Sequence, residues 1–128
     1  MEKKTILVAE DEKIIRNLTD VTLRKAGYNV LLAEDGLQAI EIFKEHSSMI
    51  DLLMLDVMMP NMNGWEAYQA INSINPDVPV IFCSGYSDDI LKEEYLHEVP
   101  AEIVQKPYRL NVLLERIASV INKGEPMP

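Results

Sequence analysis

The sequence predicts a single α/β domain with a parallel sheet covered by helices on both faces. Short apolar runs alternate along the chain with longer segments in which apolar residues recur at helical spacing. The apolar runs also lack the polar alternation of strands that face water on one side, which indicates burial on both faces. A length of 128 residues is typical of one domain. These observations favour five strands alternating with five helices.

The first two strands are predicted over 5–9 and 28–33, and a helix follows each of them. Gly27 stands where the end of the first helix favours a left-handed residue. The apolar positions that recur at helical spacing are Ile14, Ile15, Leu18 and Thr22 in the first helix and Ala39, Ile40 and Phe43 in the second.

The other three strands are predicted over 52–55, 78–83 and 101–105. A third helix follows the loop that contains Pro60 and Gly64, a fourth spans about 88–96, and a fifth precedes the tail 123–128. The buried residues predicted for the third helix are Trp65, Tyr68, Ile71 and Ile74. The apolar stripe of the fifth helix consists of Leu110, Leu113, Leu114, Ile117, Ala118 and Ile121.

Composition and charge narrow the class of protein. Apolar residues make up 48% of the chain and charged residues 26%, a mix typical of a folded globular domain. The formal net charge of -9 disfavours direct contact with nucleic acid or anionic lipid. No apolar run is long enough to cross a bilayer, and no signal-peptide core follows Met1. We expect a cytoplasmic protein without membrane insertion.

Five residues that can take part in chemistry stand where the predicted strands end. They are Glu10 and Asp11 after the first strand, Asp56 after the third, Ser84 after the fourth and Lys106 after the fifth. In an open parallel sheet, ligands bind beyond the carboxyl ends of the strands. Three carboxylates that converge there need a cation to stay ionised together, and oxygen ligands suit Mg²⁺. The sequence therefore predicts an Mg²⁺-binding cluster with Lys106 as a counter-charge.

Each of these residues has a simpler interpretation when it is taken alone. A single aspartate after a strand is usually a solvated loop carboxylate, and Lys106 by itself would be an ordinary surface lysine. The simpler interpretation requires five polar residues to fall by chance on one edge of the sheet, each directly beyond a strand. The complete set therefore favours a functional site.

This pattern resembles the receiver domain of two-component response regulators, through about Asn122. The matching stretches are 6–12, 51–64, 82–85 and the dipeptide Lys106-Pro107. They are specific as a spaced set, although none is specific alone. The resemblance implies a flavodoxin-like (βα)5 three-layer sandwich whose parallel five-stranded sheet has the order 2-1-3-4-5. It assigns residues 1–122 to the receiver domain and 123–128 to a flexible C-terminal tail.

The resemblance also implies a phosphorelay function. Asp56 would accept a phosphoryl group from the phosphohistidine of a sensor histidine kinase or of a histidine phosphotransfer domain. The implied Mg²⁺ ligands are Glu10, Asp11, Asp56 and the backbone carbonyl of Met58. Lys106 would neutralise charge on the phosphoryl oxygens, and Ser84 would hydrogen-bond the phosphoryl group afterwards. The family usually carries a cis peptide at Lys106-Pro107.

Such a domain is a self-phosphorylating and autodephosphorylating switch rather than a turnover enzyme, and its outputs are interactions. The stretch 84–89 resembles receivers that are fused to hybrid histidine kinases. A homodimer through the face made by the fourth helix, the fifth strand and the fifth helix is common in the family. Leu91, Tyr95 and Val112 on that face could equally be isolated exposed apolar residues.

Two departures from the family pattern leave alternatives open. Glu10-Asp11 replaces the commoner Asp-Asp pair and should still bind a metal. Ile103 stands where many receivers have the aromatic residue that reports phosphorylation, which favours a non-phosphorylated pseudo-receiver scaffold as the second hypothesis.

Tyr86 either limits the access of water to the site or caps the loop. A phosphatase with Asp56 as its nucleophile would want a second aspartate where this chain has Met58.

Overall fold

The computed structural model of the chain describes residues 3–85 and 102–122. The helix predicted over about 88–96, with Leu91 and Tyr95, lies outside the described residues, as do Tyr86 and the tail 123–128. Within the described ranges the chain forms five strands and four helices. No helix in these ranges is long and apolar enough to cross a membrane.

The strands form one parallel sheet in the order β2-β1-β3-β4-β5, as predicted. Their bounds are Thr5–Ala9 (β1), Asn29–Ala33 (β2), Leu52–Asp56 (β3), Val80–Ser84 (β4) and Glu102–Gln105 (β5). Every residue of β1, β3 and β4 is buried, which agrees with the absence of polar alternation in these runs. The strand order reverses between β1 and β3, the place where open α/β sheets bind ligands.

The strand ends differ slightly from the prediction. Tyr28 does not belong to β2, because its N–H bonds the carbonyl of Leu23 at 3.1 Å and closes the preceding helix. β4 begins at Val80, directly after Pro79, which has no N–H for a strand ladder. Asp56 and Ser84 are the last residues of their strands instead of the first loop residues. Both side chains are therefore anchored by sheet hydrogen bonding.

Helices cover both faces of the sheet. Their bounds are Lys13–Lys25 (α1), Gly36–His46 (α2), Gly64–Ile74 (α3) and Leu110–Asn122 (α4, the helix predicted as the fifth). One apolar core, which includes Phe43 of α2 and Ile71 of α3, lies on one face. A second core, which includes Leu23 of α1 and Ile117 of α4, lies on the other. The predicted three-layer sandwich is confirmed.

The buried face of α1 is not the one that its apolar spacing indicates. Ile14 is 83% exposed and Leu18 is 52% exposed, whereas the buried residues are Thr19 and Leu23. A helix that covers one face of a sheet buries only a narrow stripe, and the sheet faces a different side of α1. The predicted burial of Ile74 is also wrong, because this last residue of α3 is 41% exposed.

Candidate functional site

The carboxyl ends of the strands meet at one edge of the sheet, and the predicted site residues stand along it. Glu10 and Asp11 come directly after β1, Asp56 ends β3, Ser84 ends β4, and Lys106 comes directly after β5. The backbone N–H of Lys106 donates to the carbonyl of Ser84 at 2.7 Å, which extends the pairing of β5 with β4. The sheet therefore fixes where each of these side chains begins.

Lys106 joins two of the carboxylates. Its Nζ lies 2.7 Å from Oε1 of Glu10 and 2.7 Å from Oδ2 of Asp56, and all three side chains are largely buried. Burial by itself would lower the pKa of Lys106, but the hydrogen bonds to Asp56 and Glu10 outweigh that effect and raise the pKa. Lys106 is thus charged at neutral pH and acts as the predicted counter-charge.

Burial dominates the ionisation of Asp56. The pKa of this carboxyl group is raised from 3.8 to about 7, chiefly because a buried site disfavours the charged form. The hydrogen bond from Lys106 lowers the pKa, and the neighbouring charge of Glu10 raises it. A second cation at this edge would favour the ionised carboxylate, which is the form that can act as a nucleophile.

Three carboxylates at this edge can share one cation. Glu10, Asp11 and Asp56 each offer an oxygen, and these three oxygens lie within 4.8 Å of one another. Glu10 and Asp56 are buried, whereas Asp11 is exposed at the rim. Mg²⁺ prefers oxygen ligands and keeps several waters, so a few carboxylates beside open solvent suit it. The donor set therefore fits Mg²⁺.

Gly64 allows the loop after β3 to return close to the site. A Cβ atom at this position would overlap the backbone carbonyl of Asp56. The N–H of Gly64 donates to the carbonyl of Val57 at 2.9 Å, and the N–H of Val57 donates to Cys83 at 2.9 Å. The Asn63 and Glu66 side chains cap this end of α3 reciprocally. The start of α3 is therefore held directly against the backbone of Asp56.

Comparison with known proteins decides the family. The family model for the response regulator receiver domain matches residues 6–118. The chain belongs to this family. It is 32% identical over 123 residues to the autoinducer 1 sensor kinase/phosphatase LuxN of Vibrio campbellii, a match that covers 96% of this chain and 14% of LuxN. The chain thus spans only a small part of that relative.

Solved structures give the same result. A response regulator receiver domain protein from Clostridium thermocellum superposes with a TM-score of 0.87 at 29% identity, over 94% of this chain and 95% of that one. The CheX-CheY-BeF₃-Mg²⁺ complex from Borrelia burgdorferi superposes with a TM-score of 0.80 at 27% identity, over 91% of this chain and 88% of that one. The flavodoxin-like fold expected from the sequence is confirmed.

In this receiver domain, the hydroxyl of Ser84 is buried and has no hydrogen-bond partner among the described residues. Ser84 is 0% exposed, and its Oγ makes no hydrogen bond to any residue in the described ranges. A buried hydroxyl without a partner is unfavourable, so the few cases in a native structure call for an explanation. Ser84 ends β4 at the same edge of the sheet at which Asp56 ends β3.

Three other predicted features of the receiver domain have definite places. The Lys106-Pro107 peptide is cis, as the resemblance implies. The side chain of Met58 is half exposed, two residues after Asp56, while its role as a carbonyl ligand stays a prediction. Ile103 is partly buried and packs against the core that contains Phe43. An aliphatic residue therefore fills the position where many receivers have an aromatic one.

Two contacts near the site were not predicted from the sequence. The guanidinium of Arg16 donates to the backbone carbonyl of Glu10 at 2.9 Å. The ring of Tyr108 packs against the core on the α1 side, and its hydroxyl lies 3.0 Å from Oγ1 of Thr19. Backbone acceptors have no sequence signature. The one available signal was an arginine five residues after the acidic pair.

Proposed function

We propose that this receiver domain accepts a phosphoryl group on Asp56 from a phosphohistidine, in a reaction that depends on Mg²⁺. The observation that supports this most strongly is the buried Asp56 carboxylate, which has the Lys106 ammonium at 2.7 Å and two further carboxylates beside it. Receiver domains in general bind Mg²⁺ at an acidic pocket. Residues 1–122 would form the receiver domain, which acts as a switch and not as a turnover enzyme.

The transfer is one displacement at phosphorus. An Oδ atom of Asp56 forms the new O–P bond as the N–P bond of the phosphohistidine breaks, and the imidazole nitrogen keeps the electron pair of that bond. Lys106 holds a positive charge beside the carboxylate and faces the oxygens on which negative charge builds up. The hydroxyl of Ser84 would donate a hydrogen bond to the transferred group.

Glu10, Asp11, Asp56 and the backbone carbonyl of Met58 would hold the Mg²⁺ ion. The bound ion supplies positive charge that offsets the charge on the phosphoryl oxygens. Glu10 is already oriented for this, since Lys106 contacts Oε1 and the N–H of Glu12 donates to Oε2 at 3.1 Å. Asp11 stands at the exposed rim, and its carboxylate would complete the set of protein ligands beside open solvent.

The surface of α1 beside the site supports a protein as the phosphodonor. Ile14, Leu18 and Val21 are exposed by 83%, 52% and 49% and follow one another at helical spacing, beginning three residues after Asp11. A donor that delivers a phosphoryl group to Asp56 must cover the surface next to this edge. We expect a histidine kinase or phosphotransfer domain to contact this stripe.

Substitution on this stripe separates docking from chemistry. Ile14→Ser is expected to slow transfer from a phosphorylated histidine kinase about tenfold and to leave phosphorylation by acetyl phosphate unchanged. Met49→Ser is the matched control, because Met49 is 48% exposed but lies just before β3, at the opposite edge of the sheet. Equal effects of the two substitutions on kinase-dependent transfer would contradict docking on α1.

The remaining parts of the proposal concern surroundings and assembly. The acidic net charge of -9 supports the absence of direct nucleic-acid contact by this chain. A histidine kinase donor, which uses cytoplasmic ATP, supports a cytoplasmic location. Val112 of α4 is 38% exposed beside a cavity of about 320 Å³ that Ile103 and Arg116 help to line. This supports a homodimer through the face predicted for the fourth helix, β5 and α4. Light scattering before and after phosphorylation tests the dimer.

Intact mass spectrometry tests the central proposal. The protein is incubated with acetyl phosphate in Mg²⁺ or in EDTA, next to Asp56→Asn and next to Asp77→Asn, whose exposed carboxylate lies in a turn. A gain of one phosphoryl group is expected in Mg²⁺ for the wild type and Asp77→Asn only. A mass gain in Asp56→Asn would show that another residue accepts the phosphoryl group.

One observation favours a second function, a pseudo-receiver that binds partners without phosphorylation. Ile103 replaces the aromatic residue of the usual switch and packs into the core. The wild type would then bind Mg²⁺ without gaining mass in the same experiment. The coexistence of Asp56, Lys106 and the acidic pair at the correct edge of the sheet supports the first function over this one.

A further inference from the structure

Arg16 reaches from α1 back to the acidic loop. Its Nη1 donates to the backbone carbonyl of Glu10 at 2.9 Å and, at a longer 3.4 Å, to that of Asp11. Its Nη2 lies 3.5 Å from Oε1 of Glu34, and only 11% of the Arg16 side chain is exposed. Side chains on a helix point towards its amino end, so an arginine at this position can return to the loop that precedes the helix.

Asp11 depends on this backbone contact more than the other two acidic residues do. Glu10 is held by its N–H, which donates to Ala33 at 3.1 Å, and by Lys106 and Glu12 at its carboxylate oxygens. Asp56 is held by Lys106. Within residues 3–85 and 102–122, the Asp11 carboxylate makes no hydrogen bond or ion pair. The path of its backbone therefore decides where its oxygen lies.

We infer that Arg16 is a positioning residue for the Mg²⁺ ligands Glu10 and Asp11. It donates hydrogen bonds to the two backbone carbonyls at the bend between β1 and α1, and so directs the Asp11 carboxylate towards Asp56. This inference rests on the proposed function, because it needs Mg²⁺ to bind at the acidic cluster. It adds a residue that does not touch the metal itself but determines the geometry of the residues that do.

Because Arg16 is positively charged, a role through charge and a role through positioning predict opposite changes in Mg²⁺ affinity. A cation near a metal site repels Mg²⁺, so an effect through charge alone would make Mg²⁺ bind more tightly when Arg16 is neutralised. Positioning has the opposite consequence, because loss of the guanidinium releases the loop and weakens binding. The direction of the change in Mg²⁺ affinity therefore distinguishes the two roles.

Arg24 provides a matched control on the same helix. Its Nη2 donates to the backbone carbonyl of Val30 at 2.9 Å, and its Nε lies 2.7 Å from Asp20. Arg24→Gln thus removes the same charge, a similar carbonyl contact and a similar ion pair, but at the end of α1 away from the acidic loop. Its effect measures the structural part of such a substitution without the positioning part.

The experiment compares Mg²⁺ binding by the wild type, Arg16→Gln, Arg16→Lys and Arg24→Gln. Trp65, the single tryptophan, directly follows Gly64 at the start of α3, so its fluorescence is used to follow Mg²⁺ binding. The Mg²⁺-induced rise in melting temperature gives a second measure, and melting in EDTA reports folding alone. We expect Arg16→Gln to raise the Kd for Mg²⁺ about tenfold, Arg16→Lys to raise it less, and Arg24→Gln to leave it unchanged.

Each other outcome is decisive. An unchanged or lower Kd for Arg16→Gln would overturn the inference, and so would an equal increase for Arg24→Gln. A lower melting temperature of Arg16→Gln in EDTA with an unchanged Kd would reduce Arg16 to a structural residue. If the wild type binds no Mg²⁺ by either measure, both the inference and the metal-dependent function fail. If the wild type binds Mg²⁺ and the Kd of Arg16→Gln is unchanged, only the inference fails and the proposed function stands.

Discussion

The ammonium of Lys106 donates a 2.7 Å hydrogen bond to Asp56, a residue 50 positions earlier in the chain. The same nitrogen lies 2.7 Å from Glu10, so one lysine bridges the ends of β1 and β3 from the end of β5. Mg²⁺ and Lys106 would therefore act on the same pair of carboxylates. A bound Mg²⁺ ion would be held by two carboxylates, Glu10 and Asp56, that also contact the Lys106 ammonium.

Removal of the ammonium should slow phosphorylation much more than it affects metal binding. Lys106→Gln is expected to lower the rate of mass gain from acetyl phosphate about 100-fold, because a buried positive charge beside the reacting oxygens is lost. Mg²⁺ should still bind through the three carboxylates. Lys44→Gln, an exposed substitution in the last turn of α2, is the control and should react at the wild-type rate. Loss of Mg²⁺ binding in Lys106→Gln would contradict this division of roles.

The raised pKa of Asp56 predicts a pH dependence of stability in EDTA. Between the ordinary pKa of 3.8 and the value of about 7 in the folded protein, the folded state holds the proton that the unfolded state has lost. The free energy of unfolding therefore falls as pH rises through this window. Asp56→Asn removes this effect, so its stability relative to the wild type should rise by about 1–2 kcal/mol from about pH 5.5 to about pH 8.

Urea unfolding at the two pH values measures this difference. Asp77→Asn should show no comparable change, because Asp77 lies in an exposed turn. The Mg²⁺-bound wild type should lose most of the dependence, since the ion favours the ionised carboxylate. A constant difference between the wild type and Asp56→Asn at both pH values would show that burial does not control this group.

A methyl group at Gly64 should disturb the site through the backbone of Asp56. Gly64→Ala places a Cβ on the backbone carbonyl of Asp56, so β3 or α3 must move, at a cost of about 1–3 kcal/mol in stability. We expect phosphorylation and Mg²⁺ affinity to fall about tenfold as well. Gly27→Ala is the matched control: its φ of 100° strains the backbone by about 1 kcal/mol, but no atom lies within 4 Å of the new Cβ.

Both glycine variants should therefore lose stability in urea unfolding, and only Gly64→Ala should lose Mg²⁺ affinity. If the two lose Mg²⁺ affinity to the same extent, the close approach at Asp56 has no specific role. An unaltered Gly64→Ala would mean that the start of α3 can shift without moving the carboxylate of Asp56.

The Ser84 hydroxyl should matter only once Asp56 is phosphorylated. Ser84→Ala removes a buried hydroxyl that has no partner in the described ranges, so stability in EDTA should stay within about 0.5 kcal/mol of the wild type. Thr19→Val also removes a buried hydroxyl, but one that contacts Tyr108 at 3.0 Å, and should cost about 1 kcal/mol or more. Urea unfolding of the two variants measures this contrast.

Phosphorylation should affect the melting temperatures of these two variants differently. The phosphorylated wild type should melt higher than the unphosphorylated one, and Ser84→Ala should lose part of that increase because the hydroxyl can no longer donate to the phosphoryl group. Thr19→Val should keep the full increase. A normal increase in Ser84→Ala would leave the buried hydroxyl without a functional explanation.

Local pattern in the sequence was sufficient for most of the fold. Uninterrupted apolar runs predicted β1, β3 and β4, because strands buried on both faces need apolar residues at every position. The partly polar runs of β2 and β5 gave weaker signals. The candidate site residues could be named because each stands at or directly after the end of a predicted strand, where the chain leaves the sheet. The predicted strand ends differ from the observed ones by one or two residues, since backbone hydrogen bonds such as that of Tyr28 to Leu23 set them.

Tertiary structure alone decided which groups meet. The pairing of Lys106 with both Glu10 and Asp56, the close approach of Gly64 to Asp56, and the grip of Arg16 on two carbonyls all join different elements. Ile14 fits the helical spacing as well as a buried residue would, yet it is exposed because the sheet lies on another side of α1. The sequence by itself determined the elements of the described residues and indicated which side chains stand at the ends of the strands. Their contacts depend on distances across the packed layers, which no local pattern encodes.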